Sequence, residues 1–127
     1  MTGRAETRVR RILVRIKVCM TPAKIRRVLE QVTEEILDRM RHEGFHTEPG
    51  AAVRFDPIVW DINNGFCEKW AFLAADRIAE AFPAWIGDVH CVLVYKGRYY
   101  DADCLDGVDD VEDLPMFADP LGERPES

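Results

Sequence analysis

The sequence has no long apolar run and few histidines and cysteines. None of its apolar stretches approaches the roughly 20 residues that a membrane-spanning helix needs, and its arginine-rich N-terminus lacks the apolar run of a secretion signal. It contains 3 histidines and 4 cysteines, with no Cys-x-x-Cys pair. We therefore expect no membrane association, no structural zinc and no organic cofactor. A cytoplasmic protein with free thiols is the default expectation.

Basic residues are scarce beyond residue 41. The first 41 residues hold 11 of the 17 Lys and Arg side chains, whereas 18 of the 23 acidic side chains follow them. An acidic main body argues against broad nucleic-acid binding. The basic N-terminal stretch could contact nucleic acid or an acidic partner, but a solvated helix face docked near the acidic half is the simpler interpretation.

Length and composition indicate one soluble domain. The chain has 127 residues, of which 47% are hydrophobic and 31% are charged. We divide it into a basic N-terminal segment at 1–20, a single α+β domain at 21–117 and a flexible tail at 118–127. Residues 9–18 fit either a helix or a strand, and we favour a helix.

Two amphipathic helices are predicted. Thr21 can cap a helix whose first residue is Pro22, and apolar residues then recur every three or four positions until Gly44, so the first helix spans about 22–43. The second spans about 67–82 and is stopped by Pro83. Residues 45–65 between them read as an irregular, extended stretch rich in turn formers.

Residues 89–95 and 98–103 read as two strands joined by a turn at Lys96-Gly97. A two-residue turn would put His90, Asp101 and Asp103 on one face of this hairpin and Cys91 on the other. A three-residue turn with a bulge would reverse that arrangement. The following stretch, 107–117, reads as an acidic loop with at most one short helical turn.

Cys67 is distinguished by its position at the start of the second helix. The positive end of the helix dipole and the unpaired N–H groups there favour a thiolate, which is the nucleophilic form of cysteine. The same N–H groups can stabilise an oxyanion, and Asn63 or Asn64 could add a side-chain donor. A buried cysteine that only fills the core is the alternative.

A thiol nucleophile needs a base, and His90 is the only histidine after residue 46. Its place on an apolar strand predicts a functional role, although a core histidine bound to a backbone carbonyl is the alternative. Asp101 or Asp103 could hold the Nδ1–H group of the imidazole, as in a catalytic triad. We favour Asp101, which would lie beside the ring rather than opposite it.

Two stretches resemble the papain-like cysteine peptidase superfamily, and most of all its compact transglutaminase-like and NlpC-type members and short bacteriophage-encoded proteins. They are 64–71 (NGFCEKWA) and 90–103, with the Gly-Val and Leu-Pro pairs at 107–108 and 114–115. The resemblance implies a small papain-like core, in which a cysteine-bearing helix packs on an antiparallel sheet. It carries Cys67 and His90 over as catalytic residues and leaves Asp101 and Asp103 both open. Trp70 joins Asn63 and Asn64 as an expected oxyanion or substrate-binding residue.

The predicted function is a cysteine-dependent hydrolase or acyltransferase that acts on a peptide, isopeptide or related amide bond. The acidic stretch at 101–113 favours a basic peptide or protein as the substrate. One alternative is a catalytically idle binding module, or a phage-particle-associated one, on the same fold. A nucleic-acid-binding protein that uses the first 41 residues is a third hypothesis. The oligomeric state stays open.

Overall fold

A four-stranded antiparallel sheet with helices on both faces forms the protein, which is therefore α+β as predicted. The computed structural model describes residues 20–43 and 56–118. The strands lie in chain order: β1 (Phe82–Ile86), β2 (His90–Tyr95), β3 (Arg98–Asp101) and β4 (Cys104–Val108). The helices are α1 (Pro22–Glu43), the short α2 (Val59–Asp61), α3 (Cys67–Arg77) and α4 (Pro115–Ala118). A π-helical turn (Ile62–Phe66) joins α2 to α3, and a 3-10 turn (Val111–Asp113) precedes α4.

The first helix begins and ends where the sequence predicted. The Thr21 hydroxyl accepts the Lys24 N–H at 3.2 Å, which satisfies one of the unpaired donors of the first turn. Pro22 occupies the first helical position, where a missing N–H costs nothing. Gly44, the predicted stop, lies outside the described residues.

The main core lies between α1, α3 and one face of the sheet. Its fully buried side chains include Leu29 and Ile36 from α1, Trp70 and Ala74 from α3, and Leu93 from β2. Small alanines on α3 let that helix approach β2 closely. A second, smaller cluster on the opposite face joins Val92, Val94 and Leu114.

One buried polar link fastens α1 to α3. The indole N–H of Trp70 donates to the Thr33 hydroxyl at 3.0 Å, and that hydroxyl donates to the Leu29 carbonyl at 2.8 Å. The indole N–H and the hydroxyl of this link thus both have a partner, which avoids the cost of desolvating an unpaired donor.

The prediction that the second helix reaches Phe82 is wrong, because α3 ends at Arg77. Ile78 is extended and fully buried, and Glu80 has a left-handed φ of 69°, so the chain reverses into β1. Pro83 lies inside this strand instead of stopping a helix. Proline is tolerated there because β1 is an outer strand of the sheet.

The predicted hairpin is confirmed for β2 and β3. Tyr95 pairs with Arg98, and both turn residues, Lys96 and Gly97, have positive φ angles of 49° and 75°. These angles fit the two-residue turn that matches strand twist. The two faces of the hairpin follow from this turn, so that Val92 and Val94 lie on one and Leu93 on the other.

Strand β4 was not predicted, since residues 104–106 were assigned to no element and 107–108 were counted as loop. Arg98 holds it by donating to the carbonyls of Asp106 and Gly107 at 3.2 and 2.9 Å and to the Asp109 carboxylate at 2.7 Å. Gly107 has a φ of 76°, and a Cβ there would lie 2.5 Å from the Tyr100 ring. Only glycine therefore fits this irregular point of the sheet.

Residues 59–63 are helical, and a kink at Asn64 and Gly65 leads into α3, which corrects the prediction of an extended stretch up to residue 65. The predictions for residues 1–19, the part of that stretch up to residue 55, His46 and the tail beyond residue 118 fall outside the described residues. Within the described ranges, no helix is both long and apolar enough to cross a membrane.

Candidate active site

Cys67 lies at the junction of the π-helical turn and α3. It is the first residue of that helix, and 9% of it is exposed. The backbone N–H groups of Glu68 and Cys91 both bond to its sulfur, one from its own helix and one from β2. The thiol therefore lies where the start of α3 meets the start of β2.

The surroundings of Cys67 favour the thiolate. Burial alone would raise the pKa of this thiol. The nearby His90 side chain and the N–H groups of Cys91 and Glu68 outweigh burial, so the pKa of Cys67 lies below its usual value. A lowered pKa is the condition for a reactive cysteine at neutral pH.

His90 and Asp101 form a buried pair. The Nε2 atom of His90 lies 3.0 Å from Oδ2 of Asp101, and the two residues are 0% and 1% exposed. The second carboxylate oxygen, Oδ1, accepts the backbone N–H of Asp103 at 2.9 Å. With both oxygens engaged, the Asp101 carboxylate is fixed in orientation and so fixes the imidazole.

The two acidic neighbours keep His90 protonated. Burial acts to lower the pKa of His90, but the hydrogen bonds and negative charges of Asp101 and Cys67 raise it to about 9. The pKa of Cys67 falls while that of His90 rises, so both shifts favour a thiolate beside an imidazolium over the neutral pair.

The orientation of the ring is the reverse of the one predicted. Asp101 binds Nε2, the ring nitrogen farther from the backbone, and not Nδ1. The buried Nδ1 has no regular hydrogen-bond partner among the described residues. Asp101 occupies Nε2, so Nδ1 is the nitrogen free to interact with Cys67, although it makes no regular hydrogen bond to the sulfur.

Of the two predicted acids, the structure brings Asp101 to His90 and leaves Asp103 apart. Asp103 does not pair with His90, because β3 ends at Asp101, which pairs with Cys104 across a tight turn. Asp103 lies exposed in that turn. Burial and the charge of Asp101 raise the pKa of its carboxyl. It supports Asp101 through its backbone N–H alone.

The two asparagines before Cys67 lie in different surroundings. Asn64 is exposed, and its side-chain amide donates to the Trp60 carbonyl of α2 at 2.8 Å. Asn63 is buried within the π-helical turn, and its Oδ1 has no hydrogen-bond partner among the described residues. Of the pair, Asn63 is thus the side chain that still has a buried polar group to satisfy.

Trp70 is a packing residue, which corrects its expected place at the substrate. It is 1% exposed in the main core, and Thr33 takes its indole N–H. The indole is enclosed between α1 and α3, so it has almost no surface to offer to a substrate.

An apolar cover over the His90–Asp101 pair was not predicted. The Phe117 ring on α4 lies edge-on to the imidazole, with centroids 5.9 Å apart and planes at 63°. Phe117 and Leu114 pack on the same cluster as Val92 and Val94. Excluding water strengthens the attraction within the buried pair. The apolar residues that follow the acidic run were the available signal.

Asp61 is a second buried carboxylate that sequence reasoning missed. It is 2% exposed, and its Oδ2 accepts the N–H of Ile58 at 2.8 Å, which closes the turn leading towards Cys67. An aspartate directly ahead of the π-helical turn belongs to no period or motif that the sequence reveals. Its part is to fix the backbone from which Cys67 projects.

The other described cysteines lack the features of Cys67. Burial and the charge of Cys67 raise the pKa of Cys91 to about 11. Burial and Asp101 raise that of Cys104 as well. Cys19 lies outside the described residues. Within the described ranges, no cluster of three or more His, Cys, Asp or Glu side chains is arranged to bind a metal.

No protein-family model, curated protein or solved structure matches the chain. The function is therefore inferred from the residues and geometry of the site.

Proposed function

We propose that the protein is a cysteine-dependent hydrolase or acyltransferase with Cys67 as nucleophile, His90 as base and acid, and Asp101 as the residue that orients His90. The observation that carries the proposal is the buried His90–Asp101 contact beside a helix-start thiol of lowered pKa. Desolvated titratable groups with opposed shifts are typical of catalytic sites. The site is compatible with a small papain-like core and with a reducing, cytoplasmic setting.

The reaction would begin with attack of the Cys67 thiolate on the carbonyl carbon of an amide. A C–S bond forms and the carbonyl oxygen takes the negative charge, which we expect the backbone N–H groups around Cys67 to stabilise. His90 donates its proton to the amide nitrogen as the C–N bond breaks. The products are a free amine and a thioester on Cys67.

The second half regenerates the thiolate. Neutral His90 takes a proton from water, whose oxygen attacks the thioester carbonyl and releases a carboxylic acid. If an amine attacks in place of water, the same steps transfer the acyl group. We propose a basic peptide or protein as the substrate because residues 101–113 contain seven acidic side chains and no basic ones.

Near-complete burial of the site favours one second candidate. The His90 ring is fully buried and Cys67 almost so, which leaves little opening for a substrate. A binding module with an idle thiol site would share this feature.

Labelling and turnover separate these two proposals. Mass spectrometry with iodoacetamide measures how fast each cysteine is alkylated, and a fluorogenic library of lysine-containing peptides measures turnover. The enzyme proposal predicts fast alkylation of Cys67 near pH 7 and cleavage that is lost in Cys67→Ala. Fast alkylation without turnover of any peptide or amine acceptor would support the binding module.

A further inference from the structure

The outer edge of β1 is open, unlike the other edge of the sheet. The helix α1 packs against β4 and binds it through Arg26 and Asp106. No element pairs with the outer side of β1 in the described part of the chain. An unpaired edge presents a row of backbone donors and acceptors.

The turn between β2 and β3 sets the direction of the backbone groups in β2. In a hairpin with a two-residue loop, the flanking residues Tyr95 and Arg98 form a hydrogen-bonded pair. Backbone groups alternate along a strand, so those of His90, Val92 and Val94 face β1 instead of β3.

The same alternation gives the direction of the backbone N–H and C=O groups in β1. Ala84 pairs with Val92 and Ile86 pairs with His90, so their backbone groups face β2. The alternate residues, Pro83 and Trp85, therefore face outward. Proline fits at such a position because it has no N–H to leave unpaired. The edge thus offers the Trp85 N–H and the carbonyls of Trp85 and Pro83 to a further strand.

Exposed aromatic side chains flank this edge. Phe82 and Trp85, on opposite faces of β1, are 53% and 48% exposed, and Phe72 on the neighbouring helix α3 is 54% exposed. Strand β1 contains no charged residue, although charged side chains are the usual protection of an open edge. Exposed aromatic residues on both sides of an open edge are available to a strand that pairs with it.

Acidic residues lie at both ends of the strand. Glu80 precedes β1 and Asp88 follows it, both exposed, and residues 78–95 contain no Lys or Arg. A segment that binds here gains from basic residues at its ends and apolar residues in its centre. A second copy of this chain fits less well, since antiparallel pairing would set Glu80 of one copy beside Asp88 of the other.

The edge also leads to the catalytic residues. The last residue of β1, Ile86, pairs with His90. Neighbouring strands lie about 4.8 Å apart, so a strand added to β1 would run about 10 Å from β2. A substrate that continues past Ile86 would reach the end of the sheet where His90 begins β2.

We propose that the outer edge of β1 binds an extended segment of the peptide or protein substrate as a fifth strand, apolar in its centre and with Lys or Arg at its ends. Backbone pairing supplies affinity, while Trp85, Phe82 and Phe72 select apolar side chains. The proposal rests on the proposed function, because it takes the bound segment to be part of the substrate.

Amide hydrogen exchange by NMR tests this directly. The experiment uses the Cys67→Ala protein, which cannot turn the probe over, and a capped heptapeptide of alternating valine and threonine with a lysine at each end. Without the peptide, the Trp85 amide should exchange fast while those of Ala84 and Ile86 exchange slowly. With the peptide, Trp85 should become protected at least tenfold, and a peptide with glutamate at both ends should bind at least tenfold more weakly.

A matched pair of variants localises the site. Trp85→Lys places a positive charge and removes the aromatic ring at the edge, so Kd for the lysine peptide should rise about tenfold or more. Gln31→Lys adds the same charge on the exposed side of α1 and should leave Kd within about twofold.

Several results would overturn the proposal. They are no binding, binding without protection of the Trp85 amide, equal binding by the two variants, or a Trp85 amide already protected in the protein alone. The last would mean that another part of this chain or a second copy occupies the edge. Iodoacetamide labelling of Cys67 in the wild-type protein tests the proposed function without any peptide, so the two can fail separately.

Discussion

The two faces of the sheet bury different kinds of side chain. The face towards α1 and α3 covers the main core, where the polar link between Trp70 and Thr33 is neutral. The opposite face covers a much smaller apolar cluster and buries His90 against Asp101. The same strand, β2, contributes Leu93 to the main core and His90 to the opposite face, since its alternate residues point to opposite sides.

The two faces therefore contribute differently to the stability of the fold and to the proposed chemistry. Burial of large apolar side chains stabilises the fold in proportion to the area removed from water. A buried ion pair adds little net stability, because desolvation offsets the attraction. Cys67 belongs to the main-core cluster, so the site draws on both faces. We therefore expect changes to the large apolar side chains of the main core to lower stability, and changes at His90 and Asp101 to lower reactivity with the fold retained.

The largest expected effect is that of Asp101→Asn on turnover. The variant keeps the shape of the side chain but loses the charge that holds His90 protonated and oriented. Turnover should fall by roughly 10⁴-fold, as it does when a serine triad loses its carboxylate. Steady-state kinetics measures the loss, and circular dichroism should show an unchanged fold. Turnover within tenfold of wild type would mean that Asp101 does not orient the base.

Trp70→Ala should act on stability in the main core. Removing a fully buried indole leaves a cavity and should lower the free energy of unfolding by about 3–5 kcal/mol. Phe72→Ala on the same helix is the control, since an exposed side chain should change it by about 0.5 kcal/mol or less. Urea unfolding measures both. Equal losses would contradict the assignment of the core to this face.

The stabilisation from His90 should depend on pH. Its pKa is raised to about 9 in the folded protein, from about 6.5 in an unfolded chain. The charged ring therefore stabilises the fold fully below pH 6.5, and this contribution is lost as the pH rises through 9. The difference in unfolding free energy between wild type and His90→Gln should shrink across that range. A difference that grows with pH would reverse the assigned charge state.

The smallest expected effect is that of Asp103→Asn. The side chain is exposed, and the backbone N–H that it gives to Asp101 survives the substitution. Turnover should stay within about twofold of wild type. A loss comparable with that of Asp101→Asn would show that the Asp103 carboxylate acts in the site after all.

Local signals predicted the parts of the fold that depend on local physics. The cap at Thr21, the proline after it and the turn at Lys96-Gly97 each fix backbone geometry within a few residues. Alternation along β2 then placed His90 and Asp101 on one face. The position of Cys67 at a helix start likewise followed from residues near it in the sequence.

The rest depended on contacts between distant residues. Strand β4 contains Asp106 and Gly107, which disfavour strands, and it forms because Arg98 and the Tyr100 ring define its path. The ring orientation of His90 is set by where β3 ends, which no local pattern reveals. Phe117 reaches the imidazole only because α4 folds back over the sheet.

The rate of Cys67 alkylation as a function of pH tests the central claim most directly. In the wild-type protein, Cys67 should be alkylated faster than Cys91 and Cys104, and its rate should titrate with an apparent pKa below the roughly 8.5 of a free thiol. In His90→Ala, that apparent pKa should rise to the value of a free thiol or above it. Faster labelling of Cys91 or Cys104, or a Cys67 profile that His90→Ala leaves unchanged, would contradict a thiolate–imidazolium site.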